Sequence, residues 1–217
     1  YGGLYRGVNL IVVPRVHFDL EYWGAPGLSV TSQPDGESAF LKLQSWVKNA
    51  DADYTVCYTI TDAQGKKTAE CWRPAENPGT SVFLPKAHLW QGVEDPYLYT
   101  LVSTVVAVGR ELDSFTCKTG IRTAAFDADR GFLLNGGTVK IKGMCVHHDC
   151  GLTGAVGYRE SWERRLKELK DMGCNGIRCS HNPPAPVLLD LCDELGFLVM
   201  DEAFDEWLLA KNKTDNY

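Results

Sequence analysis

Between Leu28 and Thr123 the chain alternates apolar and polar positions in short runs. Leu41, Leu43 and Val47 oppose Phe40 and Lys42, Tyr54, Val56, Tyr58 and Ile60 form a second set, and Leu98, Val102 and Val106 a third. A period of two marks strands buried on one face. Turn-forming stretches separate the runs at Gln33-Pro34-Asp35-Gly36, Asp62-Ala63-Gln64-Gly65 and Asn77-Pro78-Gly79. About seven short strands with no helical stretch predict an immunoglobulin-like β-sandwich, here over residues 21–125. Upstream, Val8-Asn9-Leu10-Ile11-Val12-Val13 before Pro14 reads as a strand without a neighbour. Residues 1–20 are therefore expected to be the last strand and linker of a preceding domain.

Near Phe126 the pattern changes. Phe132 to Val139 reads as a hairpin because Asn135-Gly136 supplies the positive φ angles of a tight turn. Val139–Met144 then reads as a strand. Trp162, Leu166, Leu169 and Met172 follow at helical spacing, with Glu160/Arg164 and Glu163/Lys167 as i,i+4 pairs and Gly173 as the stop. Asn175–Cys179 predicts a second strand. Pro186 opens a second helix with Val187, Leu191 and Leu195 on one face, Gly196 closes it, and Phe197–Met200 makes a third strand. Strands alternating with amphipathic helices predict the opening of a (β/α)₈ barrel, so residues 126–217 read as its first three β/α units. The expected fold is multidomain, β plus α/β.

Each of these strands ends in polar residues: His147-His148-Asp149, then Arg178-Ser180-His181-Asn182, then Asp201-Glu202. Barrel enzymes gather their chemistry at the carboxyl ends of their strands, so the three clusters should share one rim. Imidazole, guanidinium, amide and carboxylate groups suit the hydroxyls of a sugar, and Trp207 offers a surface for the apolar face of the ring. His147, His148, Asp149, Arg178, His181, Asn182, Asp201, Glu202 and Trp207 are the candidate substrate-binding residues. Adjacent Asp201 and Glu202 point to opposite sides of a strand and cannot be the carboxylate pair that flanks a glycosidic bond. One should face the sugar and the other be structural.

Two other readings stand beside this one. His147, His181 and Asp201 could ligate zinc in a metal-dependent barrel hydrolase, although adjacent His147 and His148 send their rings to opposite faces. The chain could also be a non-catalytic structural or carbohydrate-binding piece. No cofactor or metal is expected. Phe126 to Gly131 lacks the later Glu of a calcium loop and reads as a connector, and Trp72 and Trp90 read as packing residues near sandwich edges.

A net charge of −6 without a basic block argues against nucleic acid. No apolar run approaches the ~20 residues that span a bilayer, and Tyr1-Gly2-Gly3 lacks signal-peptide character. The segment is expected to come from something longer. Eight cysteines without a C-x-x-C pair are expected to be reduced and mostly buried, which favours the cytoplasm. A Cys57–Cys71 bridge and the sequon at Asn212 keep the periplasm and secretion open.

Four stretches resemble glycoside hydrolase family 2, the family of β-galactosidases, β-glucuronidases and β-mannosidases. They are Gly131-Phe132-Leu133-Leu134-Asn135-Gly136, Lys142 to Asp149, Asn175 to Pro184 and Leu191 to Glu202, with Gly3 to Leu10, Pro96 to Tyr99 and Gly120 to Arg122 as further matches. The resemblance implies a jelly roll, a sandwich and a catalytic barrel. It also implies that His147 and His181 contact substrate, that Arg178 orders carboxylates and that Glu202 is a rim carboxylate. Many members carry His-Glu at His147-His148 and His-Tyr-Pro at His181-Asn182-Pro183, so specificity does not transfer. The ending Asp201 to Trp207 looks most like β-galactosidase-type members. By the same resemblance the acid/base and nucleophilic glutamates lie beyond Tyr217. A retaining exo-β-glycosidase acting on a β-galactoside or β-glucuronide is then the expected parent, inactive as this piece alone, its barrel completed by the remaining units or a second copy.

Overall fold

The computed structural model describes residues 4–203. It divides into two compact units. One comprises Leu10–Gln91 and Tyr97–Thr138, the other the described parts of Tyr1–Asn9, Gly92–Pro96 and Val139–Tyr217.

The first unit is the sandwich. Strands β1 (Leu28–Asp35), β2 (Ser38–Ser45), β3 (Tyr54–Thr61), β4 (Lys67–Pro74), β5 (Thr80–Leu84), β6 (Tyr99–Ala107) and β7 (Arg110–Thr119) form a three-stranded sheet in the order β1-β2-β5 and a four-stranded sheet in the order β4-β3-β6-β7. All these pairings are antiparallel. The inward residues of the alternating runs make the core: Ala39, Leu41 and Leu43 from β2, Val56, Tyr58 and Ile60 from β3. Tyr58 places a hydroxyl in this core and satisfies it by donating to Pro78 O at 3.0 Å, with Ser45 Oγ at 2.7 Å.

On β6 the inward set is Tyr99, Leu101, Ser103 and Val105, not Leu98, Val102 and Val106. Both faces of this strand carry apolar residues, so alternation alone does not choose between them, and a shift of one residue exchanges the faces. Cys57 and Cys71 do lie on neighbouring strands. However, Cys71 stands opposite Tyr58, and Cys57 opposite Trp72, so the two thiols emerge on opposite faces and cannot be bridged. Trp90 is fully buried rather than near an edge, with Gly120 against its ring and the Arg122 guanidinium 4.8 Å from its centroid. Trp72 is half-exposed on the edge strand β4.

Strands β8 (Ala124–Asp127), β9 (Gly131–Leu134) and β10 (Gly137–Thr138) form a small antiparallel sheet. The Asp127 carboxylate accepts the N–H groups of Asp129 and Arg130, which makes the supposed calcium loop a hairpin turn. Asn135 and Gly136 adopt φ of 51° and 79°, the positive pair expected of the second turn. The stretch Val8 to Val13 joins no ladder among the described residues, and Val8, Leu10, Ile11 and Val12 are exposed.

The second unit contains a parallel sheet, β11 (Gly143–His147), β12 (Gly176–Ser180) and β13 (Leu198–Met200), in sequence order. Helices α1 (Arg159–Asp171) and α2 (Pro186–Leu195) connect the strands. This is the β/α repeat of a barrel. β11 begins at Gly143 rather than Val139, because the Asn175 side chain accepts Lys142 N–H at 2.7 Å and donates to Lys140 O at 3.0 Å in place of a ladder. Pro186 occupies the first turn of α2, and Gly196 ends it in the left-handed region at φ 87°. Trp162 and Leu166 of α1, with Leu188, Leu191 and Cys192 of α2, pack on Val146, Ile177 and Cys179 of the sheet. Met172 falls off the predicted stripe and is exposed, and Arg164 pairs with Glu168 rather than Glu160.

Candidate active site

Alternation along the parallel strands sorts their side chains. Val146, Ile177, Cys179 and Val199 face the helices, so Cys145, Arg178 and Met200, which stand side by side in register, lie on the other face. At the carboxyl ends His147 of β11 pairs with Ser180 of β12, and Glu202 follows two residues after β13. Here the structure brings four predicted residues together.

Glu202 is the centre of this cluster. One carboxylate oxygen accepts from Arg178 Nε, and the other lies 2.8 Å from His181 Nδ1. Arg178 Nη2 is 3.3 Å from the same ring nitrogen, and Nη1 reaches Cys145 Sγ at 3.5 Å. His147 meets His181 edge-on, ring centroids 5.7 Å apart. The peptide between Ser180 and His181 is cis. The His181 hydrogen bond, then the Arg178 guanidinium, hold the Glu202 carboxyl below the ordinary carboxylate range. Arg178, then the Ser180 hydroxyl, lower the Cys145 thiol. On the opposite face of the same sheet, burial pushes Cys179 up to about 11.

The remaining candidates separate from this cluster. His148 turns away from His147 and packs between Tyr5 and Trp162, with centroids at 5.3 and 5.8 Å. Its Nε2 is buried without a hydrogen-bond partner, and burial, then the Arg6 charge, lower its pKa. Asp149 accepts Gly151 N–H at 2.8 Å and its carbonyl accepts from Arg165, so it shapes the turn after β11. Asn182 is exposed and lines a shallow pocket with His147, His148 and Trp162. Asp201 is exposed, and it is Glu202 rather than Asp201 that joins the cluster. Trp207 lies outside the described residues. No three His, Cys, Asp or Glu groups among the described residues converge as metal ligands. No helix among them is long and apolar enough to cross a membrane.

Sequence reasoning missed Cys145 as a member of the cluster. Its signal was available: it precedes His147 by two residues, and so shares its face.

The model described as glycosyl hydrolases family 2 matches residues 27–122, and the one described as its TIM barrel domain matches residues 128–216. The β-galactosidase BoGH2A of Bacteroides ovatus is 44% identical over 98% of this chain and 26% of its own length. A β-glucuronidase of Bacteroides fragilis is 27% identical over 93% of this chain and 30% of its own. The crystal structure of a β-glycosidase from Bacteroides vulgatus superposes with a TM-score of 0.89 at 33% identity, covering 96% of this chain and 27% of that one. The chain thus spans between a quarter and a third of the length of these relatives. With a sandwich followed by parallel β/α units, and both matched by models of one family, the chain belongs to glycosyl hydrolase family 2.

Proposed function

We propose that this chain supplies part of the sugar-binding rim of a retaining exo-β-glycosidase, with a terminal β-galactoside as substrate. The observation that carries the reading is the cluster of Arg178, His181 and Glu202, beside His147, at the carboxyl ends of three parallel strands. The His181 imidazole, held there by charged partners, can bond a sugar hydroxyl in a fixed direction. The preference for a galactoside rests on the relative BoGH2A, described as a β-galactosidase. The β-glucuronidase among the relatives makes a glucuronide the rival substrate.

Retaining hydrolysis requires two carboxyl groups about 5–5.5 Å apart across the bond, one as nucleophile and one as acid then base. Asp149 shapes its turn, and Glu202 is engaged with Arg178 and His181. The resemblance to the family puts both catalytic carboxyl groups in other parts of the parent polypeptide, so this chain alone should not turn over an aryl β-glycoside. The test is the product of the complete reading frame assayed on 4-nitrophenyl β-galactoside and β-glucuronide. A kcat/KM higher by about tenfold or more for the galactoside, or 1.4 kcal/mol in transition-state binding, is the expected outcome. Preference for the glucuronide would overturn the substrate, and turnover by the 217-residue chain would overturn the placement of the carboxyl pair.

A further inference from the structure

Glu202 is the least exposed member of its cluster, with 16% of its side chain accessible against 40% for Arg178 and 36% for His181. Both its oxygens already have protein partners. An ionised carboxylate is only an acceptor, so the ring nitrogen facing it must carry a hydrogen. Arg178 Nη2 offers the alternative, since a bare Nδ1 could accept from it at 3.3 Å. That arrangement would set the Nδ1 lone pair against a carboxylate oxygen at 2.8 Å. In the neutral ring the shorter, charge-assisted contact decides, and the hydrogen sits on Nδ1, whereas an imidazolium would carry one on each nitrogen. Nothing among the described residues bonds Nε2 of His181; its hydrogen-bonding contacts are both made through Nδ1.

We infer that Glu202 is a positioning residue rather than a sugar ligand, locking His181 in the Nδ1–H tautomer so that Nε2 is presented as a hydrogen-bond acceptor to a substrate hydroxyl. The tautomer follows from the cluster alone, and the hydroxyl rests on the proposed function. An acceptor at Nε2 takes a proton from a hydroxyl, but has nothing to donate to a carboxylate. At this contact the site therefore selects a neutral polyol edge over a uronate.

Tautomers are read directly from long-range ¹H–¹⁵N correlation spectra of the chain labelled with ¹⁵N-histidine, in which the two nitrogens of each of its five imidazoles are distinguished. The His181→Gln variant assigns the His181 ring by its disappearance. Wild type should show His181 with the hydrogen on Nδ1. Glu202→Ala should move it largely to Nε2, and Glu202→Gln, whose amide oxygen still accepts from Nδ1, should keep it in place. His148, packed against Trp162 in the same unit as Glu202, serves as the folding control in each variant. A wild-type ring with its hydrogen on Nε2 or with hydrogens on both nitrogens, or an Nδ1–H tautomer that survives Glu202→Ala, would overturn the inference. No substrate enters this measurement, so its failure is separable from a failure of the glycosidase assay.

Discussion

The sheets at the heart of this molecule's two units use their faces differently. In the sandwich, the inner faces of both sheets are closed, and Leu41, Tyr58, Ile60 and Leu101 are wholly inaccessible. In the β/α unit only one face of the parallel sheet is closed, by Trp162, Leu166, Leu188 and Leu191. The other face presents Cys145, Arg178 and Met200, all with substantial exposure. The sandwich thus uses alternation to gather its inward residues into one core. The β/α sheet uses it to separate a packing face from a face that carries ionisable groups, and the same step of one residue that buries Val146 aims His147 at the rim. A polar cluster survives there because each charge is matched: a guanidinium against a carboxylate, and that carboxylate against an imidazole.

The comparison breaks most visibly on the packing side. Trp162 has no accessible surface and contacts the sheet from α1, so Trp162→Ala should destabilise the β/α unit by about 3–5 kcal/mol. Urea unfolding followed by the signals of residues in that unit should show the loss. Met200 is 60% exposed on the other face, and Met200→Ala should stay within about 0.5 kcal/mol of wild type. Equal costs for the two changes would remove the distinction between the faces.

A chemical probe should read the same division with a smaller effect. Cys145 is exposed and its thiol is lowered by Arg178, then Ser180, whereas burial raises Cys179 to about 11 and Cys192 to about 12. Alkylation with iodoacetamide at about pH 8 should therefore modify Cys145 faster than either by about tenfold or more. Mass mapping after a short exposure reports it, and Arg178→Ala should slow the reaction at Cys145 alone.

The smallest effect is a titration. Because the folded-state pKa of Glu202 is lowered, by His181 first and Arg178 second, its contribution to stability is present above the ordinary value of 4.5 and is lost as pH falls through the lowered value. The carboxyl carbon of Glu202, followed by NMR, should titrate below 4.5. Its midpoint should rise in His181→Ala and in Arg178→Ala, and an unmoved midpoint in both would mean that neither partner holds the carboxylate.

Much of this organisation is legible in the chain, and the exceptions have physical causes. Gly173 and Gly196 punctuate the two helices, and Asn135-Gly136 marks its hairpin, because few residues tolerate the required backbone. The inward face of β6 was not legible, since apolar residues line both sides and the partner strands make the choice. Nor was the start of β11, which a side chain 33 residues away delays. At the site, alternation separates His147 from His148 as the sequence predicts. The union of Arg178 with Glu202 spans 24 residues and depends on the register of two parallel strands, which no local pattern states.

The account stands or falls on whether the His181 side of the open face meets the sugar. Initial-rate measurement of kcat/KM on 4-nitrophenyl β-galactoside, with the complete enzyme in wild-type and His181→Ala forms, tests this most directly. A drop of about tenfold or more in His181→Ala, about the worth of one hydrogen bond to the substrate, is the result predicted. A folded His181→Ala enzyme with wild-type kcat/KM would contradict it.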